Sequence, residues 1–278
     1  MPHSDTAVAV LEFEDAGLSF GPRRLWSGLS LRIEVGEFIA VLGANGSGKT
    51  SLIRTILGLQ QLNSGRLHVS GRPPRRAADD IGYVPQQRRI DPLTPLRVRD
   101  VVGQGLDGHR WGFRRSAGRA ARIAAALESV DAAAFADMPI GLLSGGEQQR
   151  VRVAQALVAD PRLLLCDEPL LSLDLRSQRT ITALVDRRRR QKGTAVVFVT
   201  HEINPVLPYV DRVLYLADGG FRAGPVEEVF TSATLSGLYG VPIDVVRVDG
   251  RILVAGIPEA DEPHHHDSGA AAVGAQRV

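Results

Sequence analysis

A glycine-rich octapeptide at residues 43–50 has the residue types and spacing needed to bind phosphate. It reads Gly-Ala-Asn-Gly-Ser-Gly-Lys-Thr, which fits the pattern of glycine, four residues, glycine, lysine and serine or threonine. Glycines let the backbone approach an anion closely, Lys49 is expected to reach the β- and γ-phosphates, and the Thr50 hydroxyl is expected to ligate Mg²⁺. The alternative is an ordinary glycine-rich turn with a stray lysine, but the sequence has just one other lysine, Lys192. We therefore expect a phosphate-binding loop.

Asp167 and Glu168 follow the apolar run 163–166, which has the length of a buried strand. Acidic residues often end strands, so this pair is informative because it lies downstream of a phosphate loop. Asp167 is expected to hold Mg²⁺ directly or through water, and Glu168 to orient or deprotonate the water that attacks the γ-phosphate. Because a strand points adjacent side chains to opposite faces, we expect the two carboxylates to have different roles.

A second candidate anion site begins at Ser144. Residues 143–147 read Leu-Ser-Gly-Gly-Glu and open a predicted helix, where a serine cap and free backbone N–H groups favour an anion. The chain has a single phosphate loop, so a second γ-phosphate site indicates two chains that share nucleotides. The alternative for this segment is a simple helix cap with a flexible turn.

Apolar runs that alternate with helical patterns must position these residues. We predict strands at 37–42, 67–69, 81–85, 162–166 and 195–199 and helices at 50–57, 145–158 and 176–191. Strands alternating with helices predict a parallel sheet covered on both faces, and therefore an α/β fold. The phosphate loop then joins a buried strand to the N-terminus of a helix.

Three further regions complete the predicted organisation. Residues 7–42 alternate strand-like runs with turns, which predicts an N-terminal β part. The alanine-dense region 96–138 is interpreted as a helical insertion in the sheet domain. After residues 218–220 we expect short β pieces, and from about residue 259 a disordered tail rich in Gly, Ala and His.

The composition limits the class of protein. The 278 residues are 44% hydrophobic and carry a net charge of +2, which is ordinary for a soluble globular protein. The single cysteine, Cys166, excludes an intrachain disulfide and fits a reducing compartment. The N-terminus lacks a secretory signal pattern, and no apolar run approaches the ~20 residues needed to span a bilayer. Local arginine runs, such as 187–190, are interpreted as solvated surface rather than a phosphate or membrane contact.

Over residues 8–232 the chain resembles the ATP-binding subunits of ABC transporters, because it carries their motifs in family order. The matches are Walker A at 43–50, the Q-loop glutamine Gln86, the signature motif at 143–147, Walker B with its catalytic glutamate at 163–168, the D-loop at 172–174 and the switch histidine His201. Phe20 stands where the family places an adenine-stacking aromatic, usually tyrosine, and Glu147 replaces the commoner glutamine. The resemblance implies the P-loop NTPase ABC cassette: a mostly parallel core sheet, an N-terminal antiparallel β part and a helical insertion.

The resemblance implies ATP and Mg²⁺ as cofactors and gives roles to individual residues. Glu168, His201 and Gln86 are the implied catalytic residues, with His201 on the γ-phosphate and Gln86 on Mg²⁺ or the water. The implied Mg²⁺ ligands are Thr50, Gln86 and Asp167. The implied ATP-binding residues are Phe20, Gly43, Ala44, Asn45, Gly46, Ser47, Gly48, Lys49, Thr50 and Ser51.

The resemblance also implies partners. Two copies pair head to tail, so that ATP on one copy is capped by the other copy's signature motif, and Asp174 lies in the D-loop. The signature residues are Ser144, Gly145, Gly146 and Glu147. An integral membrane permease and an extracytoplasmic solute-binding protein are implied, and nucleic acid is not, which places the chain on the cytoplasmic face of the cell membrane. The expected nucleotide-binding domain is 8–257, with a helical subdomain at about 90–145 and a tail at 258–278.

Some segments bear on the transported substrate. Residues 91–102 and 108–115 resemble the part of zinc/manganese importer ATPases that faces the membrane subunit, although Pro92 and Thr94 replace its usual Trp and Phe. Residues 238–242 are similar to both metal and iron–siderophore importer ATPases. The histidines 264–266 are a candidate metal-binding set, with a solvated tail as the default interpretation. The expected activity is therefore ATP-driven import of a divalent metal such as zinc or manganese.

Two alternatives stay open on sequence grounds. One is another cargo on the same ATPase, such as a siderophore, haem, cobalamin or a lipid, because the nucleotide residues do not contact the cargo. The other is a soluble ABC ATPase that acts on nucleic acid or ribosomes. Such proteins usually carry two cassettes in one chain or a long coiled-coil insertion, and neither pattern is present in this sequence.

Overall fold

A computed structural model of the chain describes residues 9–86, 90–91, 94–107, 118–217 and 219–256. These residues form eleven strands and seven α-helices. The strands are β1 (Ala9–Phe20), β2 (Arg23–Glu34), β3 (Phe38–Gly43), β4 (Ser64–Val69), β5 (Ile81–Val84), β6 (Leu163–Asp167), β7 (Ala195–Val199), β8 (Arg212–Ala217), β9 (Gly220–Gly224), β10 (Asp244–Val248) and β11 (Arg251–Ala255). The α-helices are α1 (Lys49–Ile56), α2 (Val98–Asp107), α3 (Arg119–Ser129), α4 (Gly145–Leu157), α5 (Leu175–Lys192), α6 (Val226–Val229) and α7 (Ser232–Tyr239).

A six-stranded sheet in the order β5-β6-β7-β3-β8-β9 positions the candidate site. Neighbouring strands from β5 to β8 are parallel, and β9 pairs antiparallel with β8. Strands β6 and β7 are buried along their whole length, as expected for continuous apolar runs in a parallel sheet. The carboxyl ends of β3 and β6 lie at the same edge, so the loop after β3 and the carboxylates after β6 come together there.

The alternating side chains of β3 divide the hydrophobic core into two clusters. Phe38 and Ala40 pack in one cluster with apolar residues of α2, α3, α4 and α5. Ile39 and Val41 pack in the other with α1 and the antiparallel sheet β2-β1-β4. The fully buried Trp26 belongs to this second cluster, so the N-terminal sheet is fixed beside the helix that follows the phosphate loop.

The α/β fold class is confirmed, with its parallel core, antiparallel N-terminal strands and helices between β5 and β6. The expectation of only short β pieces after residue 220 is wrong in part, because α6 and α7 lie between β9 and β10. Thr231 caps α7 by accepting a hydrogen bond from the Thr234 N–H, and Gly240 ends it at a φ of 70°. The sequence of α7 is poor in strong helix formers and contains Gly237, so its composition did not indicate a helix.

Several predicted features lie outside the described residues. They are the tail after residue 256, the histidines 264–266, Pro92, the segment 108–115 and Asp218. Within the described ranges, no helix has the length and apolar character needed to cross a membrane.

Candidate functional site

The backbone of the glycine loop is shaped by close contacts that only glycine permits. Gly43 has a φ of 144°, and a Cβ atom there would lie 2.1 Å from the carbonyl oxygen of Leu216. Gly48 has a φ of 102°, and its Cβ would lie 3.2 Å from side-chain atoms of Leu25. Gly48 is also the N-cap of α1 and has no side chain to occupy the first backbone N–H groups of that helix. Those groups therefore face the loop, as an anion site requires.

Lys49 is folded back onto its own loop. Its Nζ donates to the carbonyl oxygens of Gly43 at 2.7 Å and of Ala44 at 3.0 Å, and the side chain is buried. Burial lowers the pKa of Lys49, while the charges of Glu168 and Asp167 act in the opposite direction. A buried ammonium group held by neutral carbonyls can exchange these bonds for stronger ones to phosphate oxygens.

Asp167 is the last residue of β6 and is almost fully buried. The hydroxyl of Tyr83, on β5, donates to its Oδ2 at 3.3 Å. Burial and then the neighbouring charge of Glu168 raise the pKa of Asp167. Burial and Asp167 raise the pKa of Tyr83 to about 12, so the phenol stays a donor. The three expected Mg²⁺ ligands, Thr50, Gln86 and Asp167, all belong to the lining of one groove of about 560 Å³.

Glu168 is held through both of its carboxylate oxygens. Oε1 lies 2.5 Å from Nε2 of His201, and Oε2 accepts a hydrogen bond of 3.1 Å from Nε2 of Gln86. Strand β6 ends at Asp167, and Glu168 has a φ of 48°, in the left-handed region. The side chains of Asp167 and Glu168 therefore point in different directions because the backbone turns at Glu168. The sequence-based explanation, alternation of side chains along a strand, is wrong because Glu168 lies outside the strand.

A cleft of about 330 Å³ lies beside the glycine loop. Its lining joins the expected adenine-stacking residue Phe20, half of whose surface is exposed, to Lys49 and Glu168. The other lining residues are Arg23, Leu25, Asn45, Gly46, Gly48, Thr50 and Ser51. Ala44 and Ser47 line a smaller cavity behind the loop, together with Arg23 and Arg24. Most expected ATP-binding residues therefore surround one space.

The signature segment forms a reciprocal cap at the start of α4. The Ser144 hydroxyl accepts from the Glu147 N–H at 3.4 Å, and Glu147 Oε2 accepts from the Ser144 N–H at 2.8 Å. The Ser144 hydroxyl lies 2.7 Å from Glu147 Oε2 as a donor, and this bond, followed by that from the Ser144 N–H, lowers the pKa of Glu147. A Cβ on Gly146 would lie 2.5 Å from the Ser177 hydroxyl, and Ser177 also bonds Asp174, the N-cap of α5. The signature and D-loop segments therefore share a contact, while the described lining of the cleft contains neither.

Residues 26–171 match a protein-family model described as "ABC transporter". The chain belongs to the ABC transporter family. A curated relative, the zinc transport system ATP-binding protein TroB of Treponema pallidum (strain Nichols), is 35% identical over 266 residues, 95% of this chain and 96% of that protein. The aliphatic sulfonates import ATP-binding protein SsuB of Pseudomonas entomophila (strain L48) is 37% identical over 212 residues, 75% of this chain and 73% of that protein.

Solved structures of ABC transporter proteins share the fold. A metal-chelate type ABC transporter in an inward-facing conformation matches with a TM-score of 0.74 and 26% identity, over 88% of this chain and 96% of that one. A dimeric ATP-binding cassette bound to ADP and Pi matches with a TM-score of 0.65 and 28% identity, over 78% of this chain and 98% of that one. The protein is therefore an ATP-binding subunit of the ABC-type ATPase class.

Two residues of this ABC cassette contact the site although sequence reasoning did not single them out. Tyr83 precedes Gln86 by three residues and bonds Asp167 across the β5–β6 pair. Arg23 lies three residues after Phe20, and its Nη2 donates to the carbonyl oxygen of Gly46 at 2.9 Å. The one feature of the sequence that could have indicated Tyr83 and Arg23 is that each lies three residues from a recognised motif residue.

Proposed function

We propose that this ABC cassette hydrolyses ATP in the cleft beside Phe20 and Lys49 and thereby powers import of a divalent metal such as zinc or manganese. The observation that carries the site assignment is the position of Glu168, which lines the same cleft as Lys49 while His201 and Gln86 hold its two oxygens. A fixed carboxylate next to a phosphate loop can orient water for attack on the γ-phosphate and accept its proton.

The roles of the other residues follow from where they lie. Lys49 binds the β- and γ-phosphates with the ammonium group that contacts Gly43 and Ala44 in this structure. The backbone N–H groups at the start of α1 bind phosphate oxygens. His201 keeps the Glu168 carboxylate oriented and contacts the γ-phosphate. Fixing these donors before the substrate binds lowers the reorganisation needed in the transition state.

The donor set fits Mg²⁺. Thr50, Gln86 and Asp167 line one groove and offer oxygen atoms, which are the ligands that Mg²⁺ prefers. Within the described ranges no three His, Cys, Asp or Glu residues are placed to hold a metal by themselves. When bound, Mg²⁺ neutralises charge on the phosphate oxygens.

Two kinds of partner complete the proposal. A second copy would supply the signature residues Ser144–Gly146 to the cleft, since these lie at the start of α4 and outside its described lining. The similarity to a dimeric ATP-binding cassette supports this pairing. A permease would dock on the cytoplasmic face of the membrane, and a solute-binding protein would deliver the cargo. The groove that contains the expected Mg²⁺ ligands is also lined by Thr94, Leu96 and Val101, which belong to the segment expected to face the membrane subunit, and these residues are proposed as the docking surface of the permease.

The proposed cargo rests on similarity to metal transporters. The zinc relative matches 95% of this chain and 96% of its own length. The metal-chelate type transporter, with a TM-score of 0.74, supports instead a chelated metal as cargo, the class that includes siderophores and haem. A second candidate, an organic sulfonate, is supported by the sulfonate relative at 37% identity over 75% of the chain.

Elemental mass spectrometry of cells tests the cargo. A strain lacking this chain is grown in metal-depleted medium and complemented with wild type or with Lys49→Ala. We expect a zinc or manganese deficit that only wild type restores. Unchanged transition metals, combined with loss of growth on a sulfonate as sulfur source, would replace metal import by sulfonate import. Unchanged metals with normal growth on sulfonates would move the cargo to the siderophore or haem class.

A further inference from the structure

Arg23 faces the nucleotide cleft from the turn that joins β1 and β2. Phe20 and Arg23 are partners across this antiparallel pair, and a two-residue turn, Gly21-Pro22, connects them. Side chains of directly paired residues point to the same face of a sheet. Both side chains line the cleft, so the arginine lies beside the aromatic ring expected to stack on the base.

The guanidinium group of Arg23 also contacts the phosphate loop. Its Nη2 donates to the carbonyl oxygen of Gly46 at 2.9 Å. Gly46 has a φ of 75°, and a Cβ there would lie 2.8 Å from the same nitrogen. The loop therefore leaves room for the guanidinium at this position. This hydrogen bond uses one of the five N–H donors of an arginine.

The order of side chains along the cleft indicates which part of a nucleotide Arg23 meets. Phe20 marks the position of the base, and Lys49 marks that of the β- and γ-phosphates. Arg23 lies between the ends of this series, because its backbone pairs with that of Phe20 and its side chain bonds the Gly46 carbonyl oxygen in the loop. The part of a nucleotide between the base and the β-phosphate is the ribose with the α-phosphate. Arginine suits this position because its planar fork pairs with phosphate oxygens.

We propose that Arg23 is a further nucleotide-binding residue, whose guanidinium binds the phosphate nearest the ribose. The inference rests on the proposed function of the cleft as the ATP site. The contact is made equally with ATP and ADP and does not change as the γ-phosphate leaves. Arg23 therefore contributes uniform binding, which lowers KM and leaves kcat unaltered.

Three variants separate this role from mere support of the loop. Arg23→Gln keeps a donor for the Gly46 carbonyl but removes the charge, and Arg23→Lys keeps the charge. Arg24→Gln is the matched control, because Arg24 belongs to the described lining of the small cavity behind the loop and not to that of the cleft. Calorimetry gives the Kd for ATP and ADP, steady-state kinetics give kcat and KM, and thermal unfolding checks the fold of each variant.

We expect Arg23→Gln to raise the Kd for both ATP and ADP by about tenfold to a hundredfold, because one charge-assisted hydrogen bond is lost. KM rises in parallel while kcat stays close to wild type, Arg23→Lys recovers most of the affinity, and Arg24→Gln binds like wild type. Wild-type affinity of Arg23→Gln for ATP and ADP would overturn the proposal and show that Arg23 only supports the loop through Gly46. Weaker binding of ATP with unchanged binding of ADP would overturn it as well, because the contact would then be made with the γ-phosphate. Wild-type protein that fails to bind ATP would instead overturn the proposed function of the cleft.

Discussion

Nε2 of His201 lies 2.5 Å from Oε1 of Glu168. His201 follows β7 and Glu168 follows β6, so this contact joins the carboxyl ends of two neighbouring parallel strands. Gln86, after β5, bonds the other oxygen of the same carboxylate. Residues that follow three adjacent strands of the sheet therefore fix one carboxyl group in position and orientation. This double support distinguishes Glu168 from Asp167, the other carboxylate of the site.

Replacing Glu168 by glutamine tests its role as the base. Glu168→Gln keeps the size of the side chain and can still bond His201 and Gln86, but it cannot accept a proton from water. We expect turnover to fall by about 10²- to 10⁴-fold, the usual contribution of general base catalysis. ATP should still bind, and the variant should accumulate as an ATP-bound dimer in size-exclusion chromatography.

The control for this variant is Glu227→Gln, an exposed carboxylate on α6. It should hydrolyse ATP at the wild-type rate and elute as wild type does. Turnover of Glu168→Gln at the wild-type rate would show that another group accepts the proton.

Lys49→Ala should lose nucleotide affinity. The substitution removes the buried ammonium group and its hydrogen bonds to the loop carbonyls, and with them the proposed contact to the β- and γ-phosphates. The Kd for ATP should rise by about tenfold to a hundredfold, as measured by calorimetry. Lys192→Ala removes the other lysine of the chain, at the C-terminal end of α5, and should bind ATP like wild type. Equal ATP affinities of Lys49→Ala and Lys192→Ala would show that Lys49 does not bind the nucleotide.

The parts of the site that could be predicted are those whose geometry is local in sequence. The glycine loop needs only a strand, five loop residues and a helix, and all of these are contiguous between Phe38 and Ile56. The buried apolar strand before Asp167 is equally local. A short segment determines its own backbone in these cases, so residue types and spacing were enough to predict the fold class.

The parts that could not be predicted depend on contacts between distant segments. Tyr83 reaches Asp167 because β5 pairs with β6 in a register that sets Tyr83 beside Leu165, and no local pattern contains that register. Arg23 reaches Gly46 because the β1–β2 turn packs against a loop more than twenty residues further along the chain. The direction of Glu168 depends on a positive φ that no rule for strands gives.

Gly43→Ala should damage both stability and binding. At a φ of 144° an alanine is strained, and its Cβ would lie 2.1 Å from the Leu216 carbonyl oxygen in the neighbouring strand β8. We expect a loss of about 2–4 kcal/mol in the free energy of unfolding, by chemical denaturation, together with weaker ATP binding. Gly237→Ala is the control, since it lies in α7 with no heavy atom within 4 Å of the added Cβ, and it should stabilise by about 0.5–1 kcal/mol. A Gly43→Ala variant as stable as wild type would contradict the close contact with β8.

Asp167→Asn should make the nucleotide-free protein more stable at neutral pH while abolishing most ATP turnover. Burial and the charge of Glu168 raise the pKa of Asp167 above its ordinary value of 3.8, so the folded chain binds more protons than the unfolded chain between these two values. Stability therefore falls as pH rises through that window, and the cost of the ionised carboxyl is fully present above it.

Removing this carboxyl should raise the free energy of unfolding, and with it the melting temperature, at pH 8 in the absence of nucleotide and Mg²⁺. The gain should shrink as pH falls and disappear well below 3.8, where the wild-type carboxyl is protonated in both states. Thermal unfolding of wild type and variant across this range measures the difference, with Asp79→Asn, an exposed carboxylate, as the control for loss of one charge. A gain that grows toward low pH would reverse the sign and show that the folded protein stabilises the ionised form of Asp167.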